Sequence, residues 1–349
     1  MGTLLKKINC FLFLLGTLNA QYVNTDWKAH DIGNIFQVQT NLWGQGYCHV
    51  MSIGPRNKPM TSYPKGSRNQ YTRWDENNGV EPIIGARVNS PNSTPRVSSG
   101  GHENGYDFYA TSEPWDTIWV VNRNEIVDIP YWLNYKGLSD QDFVFRVADD
   151  RRDDNGELIW YESGWTQPHV VPLGVEVIQT SHAWANPPFD EFILYQSYII
   201  PKTNNLYDVY AGFWWGGQIG NLDAFPGQVP YEDDCTMYDA EKYFSIAYDS
   251  DLIPEDNVPG PIGFKMFSPE IRNLKGTTVI DRESLNWTWD NFIDVPDMTD
   301  QEKYQAMASH IIMQDGCTPV RVGPIFYWFF GPLDSLVIGD TLKITWGEV

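Results

Sequence analysis

Short apolar runs, broken by turn-forming residues, set the rhythm of this chain. Segments 117–122 (TIWVVN), 142–148 (DFVFRVA), 175–181 (VEVIQTS), 192–200 (FILYQSYII), 206–215 (LYDVYAGFWW), 262–267 and 341–346 (TLKITW) are rich in β-branched and aromatic residues. Gly, Pro, Asn and Asp bound them, which is the signature of strands separated by turns. Alternation within 192–198 and 206–213 is only partial, so cover is expected on both faces of these strands. That predicts stacked sheets rather than one open sheet.

Helix signals are few. Thr299 and Glu302 have the T-x-x-E spacing of a capping box, and good helix formers follow over 301–313. A second, weaker helix is predicted over 233–244. No strand–helix–strand rhythm is visible. The expected fold is therefore all-β: an antiparallel β-sandwich, jelly-roll-like, with one or two short helices. The stretch 87–103 (RVNSPNSTPRVSSGGHE) reads as a long loop or weak boundary. It leaves two organisations open for 21–349: one β-sandwich region, or two packed subdomains over 21–100 and 101–349. No internal repeat is found. The sequence stops at Val349 directly after a strand pattern, and we expect it to be the N-terminal part of a longer protein.

The N-terminus adds a destination. Lys6 and Lys7 precede an apolar stretch over 10–16 (CFLFLLG), and Leu18-Asn19-Ala20 places a small residue before Gln21. This is the pattern of a signal peptide over 1–20, cleaved after Ala20, and it predicts a secreted or cell-surface protein. The stretch is too short to cross a bilayer, as is 324–330 (PIFYWFF), so no transmembrane segment is expected. The formal charge of -21, with 24 Lys and Arg against 45 Asp and Glu, excludes a general nucleic-acid binder. Cys10 would leave with the signal. Cys48, Cys235 and Cys317 remain, as one disulfide and one thiol or as three thiols. No Cys/His spacing of a zinc site is present.

An ordered set of short motifs also carries a resemblance. Tyr63-Pro64-Lys65-Gly66-Ser67 comes first, then Pro172 to Val177, His182-Ala183-Trp184 and Pro188 to Ile193. Leu206 to Phe213, Tyr248-Asp249-Ser250-Asp251, Phe330 to Leu333 and Gly339 to Leu342 complete it. From about Gln37 onward the chain resembles a family of uncharacterised, large, secreted β-rich proteins from environmental bacteria of the Bacteroidetes–Chlorobi type. Members commonly carry a C-terminal sorting domain for type IX secretion, which this sequence does not contain. The resemblance implies export and surface placement, and it implies no catalytic residues.

Candidate chemistry lies in two acidic loops and a few aromatic positions. Asp249, Asp251, Glu255 and Asp256 alternate carboxylates in a Pro-bounded loop, a pattern that can converge on Ca²⁺. A weaker calcium loop surrounds Gly156, with Asp150, Asp153, Asn155 and Glu162 as oxygen donors. The competing reading of both is a solvated polar turn. Trp214 and Trp215 sit on successive strand positions, so one enters the core and its neighbour is a candidate to stack on a sugar ring, against the favoured reading of both buried between sheets. His182 and Trp184 form a second ligand-binding candidate, against the reading of a hydrogen-bonded structural His. The 15 Trp, 19 Tyr and 17 Phe suit both a sandwich core and sugar-stacking surfaces. No nucleophile elbow, zinc-protease, phosphate-loop or dinucleotide motif occurs. The sequence thus favours a non-catalytic structural or adhesive β-sandwich, calcium-stabilised, with an extracellular glycan or another surface protein as partner. The alternative is a carbohydrate-binding module or a polysaccharide hydrolase working through surface Trp and paired carboxylates.

Overall fold

The computed structural model describes residues 26–45, 61–67, 69–70, 79–101, 105–110, 113–152, 156, 158, 171–217, 219–221, 234–249, 260–290, 298–313, 315–316 and 325–349. The expected signal segment lies outside them. The described chain is all-β, and two large antiparallel sheets dominate it. The first has 11 strands. Its central order is Phe244–Asp249, Ile262–Met266, Thr341–Glu348, Ile193–Pro201, Val175–Ala183, Gln141–Ala148 and Trp119–Val121. The second has six: Asn286–Asp290, Ile325–Leu336, Leu206–Gly216, Val80–Val88, Pro95–Gly101 and Gly105–Tyr106. Each run singled out above becomes a strand.

Strand geometry explains how the sheets meet. Successive side chains point to opposite faces. In Ile193–Pro201 this gives a strict alternation of buried and half-buried positions. A shared core takes Phe145, Val177, Tyr195, Phe264 and Trp346 from the first sheet and Phe213, Trp215, Trp289 and Trp328 from the second. Aromatic pairs cross the gap: Phe213 to Trp346 at 5.3 Å between ring centroids, and Tyr238 to Trp328 at 5.4 Å. Tyr238 stacks on Trp289 at 5.5 Å. Each such ring removes a large apolar area from water, which makes this interior the main stabilising term.

The outer face of the second sheet is covered too. Tyr210, Trp214, Tyr327 and Phe329 pack with Tyr304 and Met307 of the helix Asp300–Met307. The capping box forms as the spacing predicts, with Glu302 N donating to Thr299 Oγ1 at 3.3 Å and Thr299 N to Glu302 Oε2 at 2.8 Å.

Two local expectations are corrected. The weaker helix predicted over 233–244 is a hairpin, Asp234–Asp239 paired with Phe244–Asp249. Its good helix formers, Ala240 to Lys242, occupy the turn, and Tyr243 adopts a left-handed φ of 51°. Pairing with Ile262–Met266 overrides local propensity there. The loop predicted over 87–103 holds the buried strand Pro95–Gly101, in register with Val80–Val88 from Ile83 opposite Ser99 to Arg87 opposite Pro95. Its residues are small because neighbours crowd them. A Cβ at Gly100 would sit 2.8 Å from Trp43 Cβ, and one at Gly101 would meet the Glu81 side chain.

A small third sheet, Trp27–His30, Phe36–Thr40 and Thr61–Ser62, docks on the first sheet through polar contacts. Ser181 Oγ donates to Gln39 Oε1 at 2.6 Å and lies 2.7 Å from His30 Nε2, while Trp43 Nε1 donates to Gln179 Oε1 at 3.0 Å. Burial holds the His30 imidazole far below its usual range, at about 3, so it is neutral here. Among the described residues, no helix is long and apolar enough to cross a membrane.

Candidate functional site

The outer face of the first sheet is where ring faces and charges meet in the open. Register builds it. Ile178 pairs with Arg146 on one side and with Tyr198 on the other; Tyr198 pairs with Lys343, and Lys343 with Glu270. These five side chains therefore form one outward row across the sheet. The next row supplies Glu176, Ile200, Thr341 and Arg272.

Two hairpins wall these rows into a groove of about 300 Å³. One wall is the hairpin of Ile126–Ile129 and Trp132–Lys136, which contributes Tyr131 and Trp132. The other is the hairpin of Glu270–Asn273 and Gly276–Val279. Trp132 stands edge-on to Tyr198, with centroids 5.1 Å apart at 90°, and edge-on to Tyr135 at 5.2 Å. All of Tyr131, Trp132 and Tyr198 are half-buried. Each is fixed by packing yet keeps part of its ring at the surface. Tyr135 anchors its hairpin by donating its hydroxyl to Asp142 Oδ2 at 2.7 Å.

Charge is held at the groove edges. Lys343 Nζ bonds Glu270 Oε1 at 3.1 Å, and Arg272 is exposed beside them. The Arg146 guanidinium lies 4.8 Å from the Tyr131 ring centroid and 5.2 Å from that of Trp115. Asp116 and Glu176 hold it at 3.1 and 3.6 Å. This cation–π sandwich props Tyr131 at the groove margin. Burial pushes the Tyr198 phenol up, so it remains a neutral hydroxyl donor and acceptor. A concave, largely apolar site with a few oriented polar groups is the general form of a small-ligand site.

The residues marked from sequence fall elsewhere. Trp214 and Trp215 are both buried, at 2% and 0% exposure, because the helix covers one face of their strand and the opposite sheet covers the other. Neither offers a ring to solvent. His182 is also buried: its Nδ1 lies 2.9 Å from Asp142 Oδ1 and its Nε2 lies 3.0 Å from Thr180 Oγ1. A hydroxyl, an imidazole and a carboxylate are in line there, but at 2% exposure or less all three are closed to substrate. Trp184 is half-buried and packs with Phe189 and Phe192, 6.3 and 5.2 Å away.

Of the calcium candidates, Asp249 ends a strand opposite Asp234, and Asp150 is a half-buried turn residue. Asp153, Asn155, Glu162, Asp251, Glu255 and Asp256 lie outside the described residues. Among the described residues, no group of three or more His, Cys, Asp or Glu is placed to hold a metal ion. Asp149, next to the weaker loop, instead caps the chain: it accepts from Leu173 N, Gly174 N and Val175 N at 2.7 to 3.1 Å and from Ser98 Oγ at 2.7 Å.

The groove residues carried little sequence signal. Tyr131-Trp132 is a visible aromatic pair, but Tyr198, Lys343, Glu270 and Arg272 come together only through strand register.

No family model and no curated protein matches the chain. Among solved structures, a family GH92 inverting mannosidase from Bacteroides thetaiotaomicron aligns at a TM-score of 0.18 and 9% identity. The alignment covers 71% of this chain and 29% of that chain, so this chain spans under a third of that enzyme's length. A likeness this slight bears on neither fold nor function.

Proposed function

We propose that this chain is an exported, glycan-binding β-sandwich whose ligand lies in the groove between the Trp132 and Glu270 hairpins. The observation that carries this reading is the pairing of half-buried Trp132 and Tyr198 rings with Lys343, Glu270 and Arg272 on an open sheet face. Sugars present apolar C–H faces to aromatic rings and hydroxyls to charged groups, so one wall binds each kind of surface. Among the described residues, the two carboxylates in these rows are both paired with cations, Glu270 with Lys343 and Glu176 with Arg146. We therefore read the groove as a binding surface, in line with a surface or adhesive role, since glycosidic cleavage takes two carboxyl groups facing the substrate. Export is supported by the N-terminal signal pattern and by Cys235, which is disulfide-bonded. Such bonds persist mainly in oxidising compartments.

The test is a glycan panel screened by affinity electrophoresis and calorimetry against the wild type, Trp132→Ala and Arg272→Ala. The expected result is micromolar-to-millimolar binding of at least one polysaccharide. Each substitution should weaken it about tenfold or more, the loss of roughly 1.4 kcal/mol. Arg272 is exposed, so its loss should leave the melting temperature unchanged. Binding that is indifferent to both substitutions would place the ligand elsewhere and end this reading.

A further inference from the structure

The open face of the first sheet continues beyond the groove. Side chains at alternate strand positions share a face, so Ile193–Pro201 turns Leu194, Gln196, Tyr198 and Ile200 outward, all half-buried. The extended backbone at Phe192, with φ of -150° and ψ of 158°, brings its ring to the same side. The neighbouring strand follows the pattern: Thr345 faces Gln196 and Lys343 faces Tyr198, both half-buried. Tyr198 and Lys343 already line the groove. From there the strip runs to Phe192, about 20 Å at the usual rise per residue.

A second group of rings stands at that far end. Ala183 pairs with Ile193, so the next residues out, Trp184 and Phe192, come together with centroids 5.2 Å apart. Phe189 packs on both, at 6.3 and 6.1 Å, yet is 53% exposed. Phe267 stands on the other side of the strip, 41% exposed. Gly347 seats it: a Cβ there would lie 3.9 Å from the Phe267 ring and 4.0 Å from Leu194 Cδ1, so both side chains lie over bare backbone. Phe189 and Phe267 are thus held by packing and still present ring surface to solvent. Between the two ends lie Gln196 and Thr345, and Tyr198 Oη donates to Gln196 Oε1 at 3.0 Å, which fixes both side chains.

We propose that the groove is one end of a longer site, whose occupant is an extended polysaccharide chain lying along the strand from Tyr198 to the platform of Phe189 and Phe267. The inference rests on the glycan reading of the groove and adds the form of the ligand: an internal stretch of chain, not a single sugar. A linear glycan repeats apolar C–H faces and hydroxyls along its length, and this strip repeats ring surface and polar groups along its own. At about 20 Å the strip is several sugar rings long. A protein partner fits it less well. Two strands give a width of about 10 Å and so roughly 200 Å², whereas a specific protein interface takes about 800 Å² from each partner. Two platforms bridged by one ligand act as linked sites, and their combined affinity appears only when the ligand is long enough to span them.

Calorimetry with cello-, xylo- and galacturono-oligosaccharides, each from disaccharide to hexasaccharide, tests it. In at least one series, affinity should rise more than about tenfold once the chain spans both platforms. The ratio of hexasaccharide to disaccharide affinity should fall towards unity in Phe189→Ala and in Phe267→Ala. Trp132→Ala should weaken short and long chains alike, because it removes the groove end that both use. A wild type that binds disaccharide and hexasaccharide equally would overturn the extended site, whether or not the variants fold, and would leave the groove reading standing. No binding in any series would also overturn it, and the groove reading would then stand or fall on the polysaccharide panel. A dimer in sedimentation equilibrium that Phe189→Ala dissolves would assign the platform to a second copy of this chain and end the proposal.

Discussion

At the scale of single residues, the buried polar groups are the informative ones. Asp142 is fully enclosed and accepts from Leu138 N at 2.7 Å, Ser139 N at 2.9 Å, the Ser139 hydroxyl and Tyr135 Oη. Burial alone would raise its carboxyl, but His182 and these donors hold it down at about 2. Because its folded-state value lies below the ordinary 3.8, Asp142 contributes stability above that pH and loses it as pH falls towards about 2. The size is on the order of 2 kcal/mol at neutral pH. Asp142→Asn should therefore lower stability at pH 7 by about 2–4 kcal/mol and flatten the acid limb, as read by urea denaturation at a series of pH values. An unchanged acid limb in the variant would remove Asp142 from the account. The same scale shows why His182 looked like a ligand residue. A His beside a Trp is visible in sequence, whereas the Asp142 carboxylate that occupies its Nδ1 side is 40 positions away.

At the scale of elements, the helix Asp300–Met307 is the clearest case of a local signal completed by tertiary contacts. Eight residues are too few to be stable alone in water. The capping box starts the helix, and docking keeps it. Tyr304 Oη donates to Asp208 O at 2.6 Å, and Thr288 Oγ1 donates to Met307 O at 2.9 Å. Gly85 allows the approach, since a Cβ there would come within 2.9 Å of Met307 Sδ and 3.0 Å of the Tyr304 ring. Thr299→Ala should cost about 1 kcal/mol. Amide exchange over 300–307 should speed up several-fold, with little change in the strands. Uniform acceleration across the sheets would mean that the helix unfolds only with the whole. The hairpin of Ile126–Ile129 and Trp132–Lys136 is the opposite case. Its short, partly polar strands carry no strong pattern, and its position over the first sheet comes from Ile129 and Tyr135 packing on Val121, Val144 and Ile178 and from the Tyr135 hydroxyl meeting Asp142.

For the whole molecule, the question is what holds two sheets and a polar-docked third sheet together. The aromatic interior joins the large sheets, whereas the small sheet relies on His30, Gln39, Trp43 and their partners. The disulfide at Cys235 adds a covalent restraint on the unfolded chain. Reduction should lower stability by about 2–4 kcal/mol, seen as a drop in melting temperature with dithiothreitol. No change on reduction would show that the bond contributes nothing in solution.

The strands and their class were determined by the sequence itself, because β-propensity and turn residues act over a few neighbours. That is why 175–181, 192–200 and 206–215 were legible, and why the Thr299 cap was. Tertiary structure alone decided which side chains share a surface. Trp214 and Trp215 became core when a helix and a sheet closed over both faces of one strand. Tyr198, Lys343 and Glu270, scattered over the chain, became neighbours through register. Gln37 and Glu348, 311 positions apart, met only when the small sheet docked. Pairing partners in a sheet are set by long-range packing, and no local pattern encodes them.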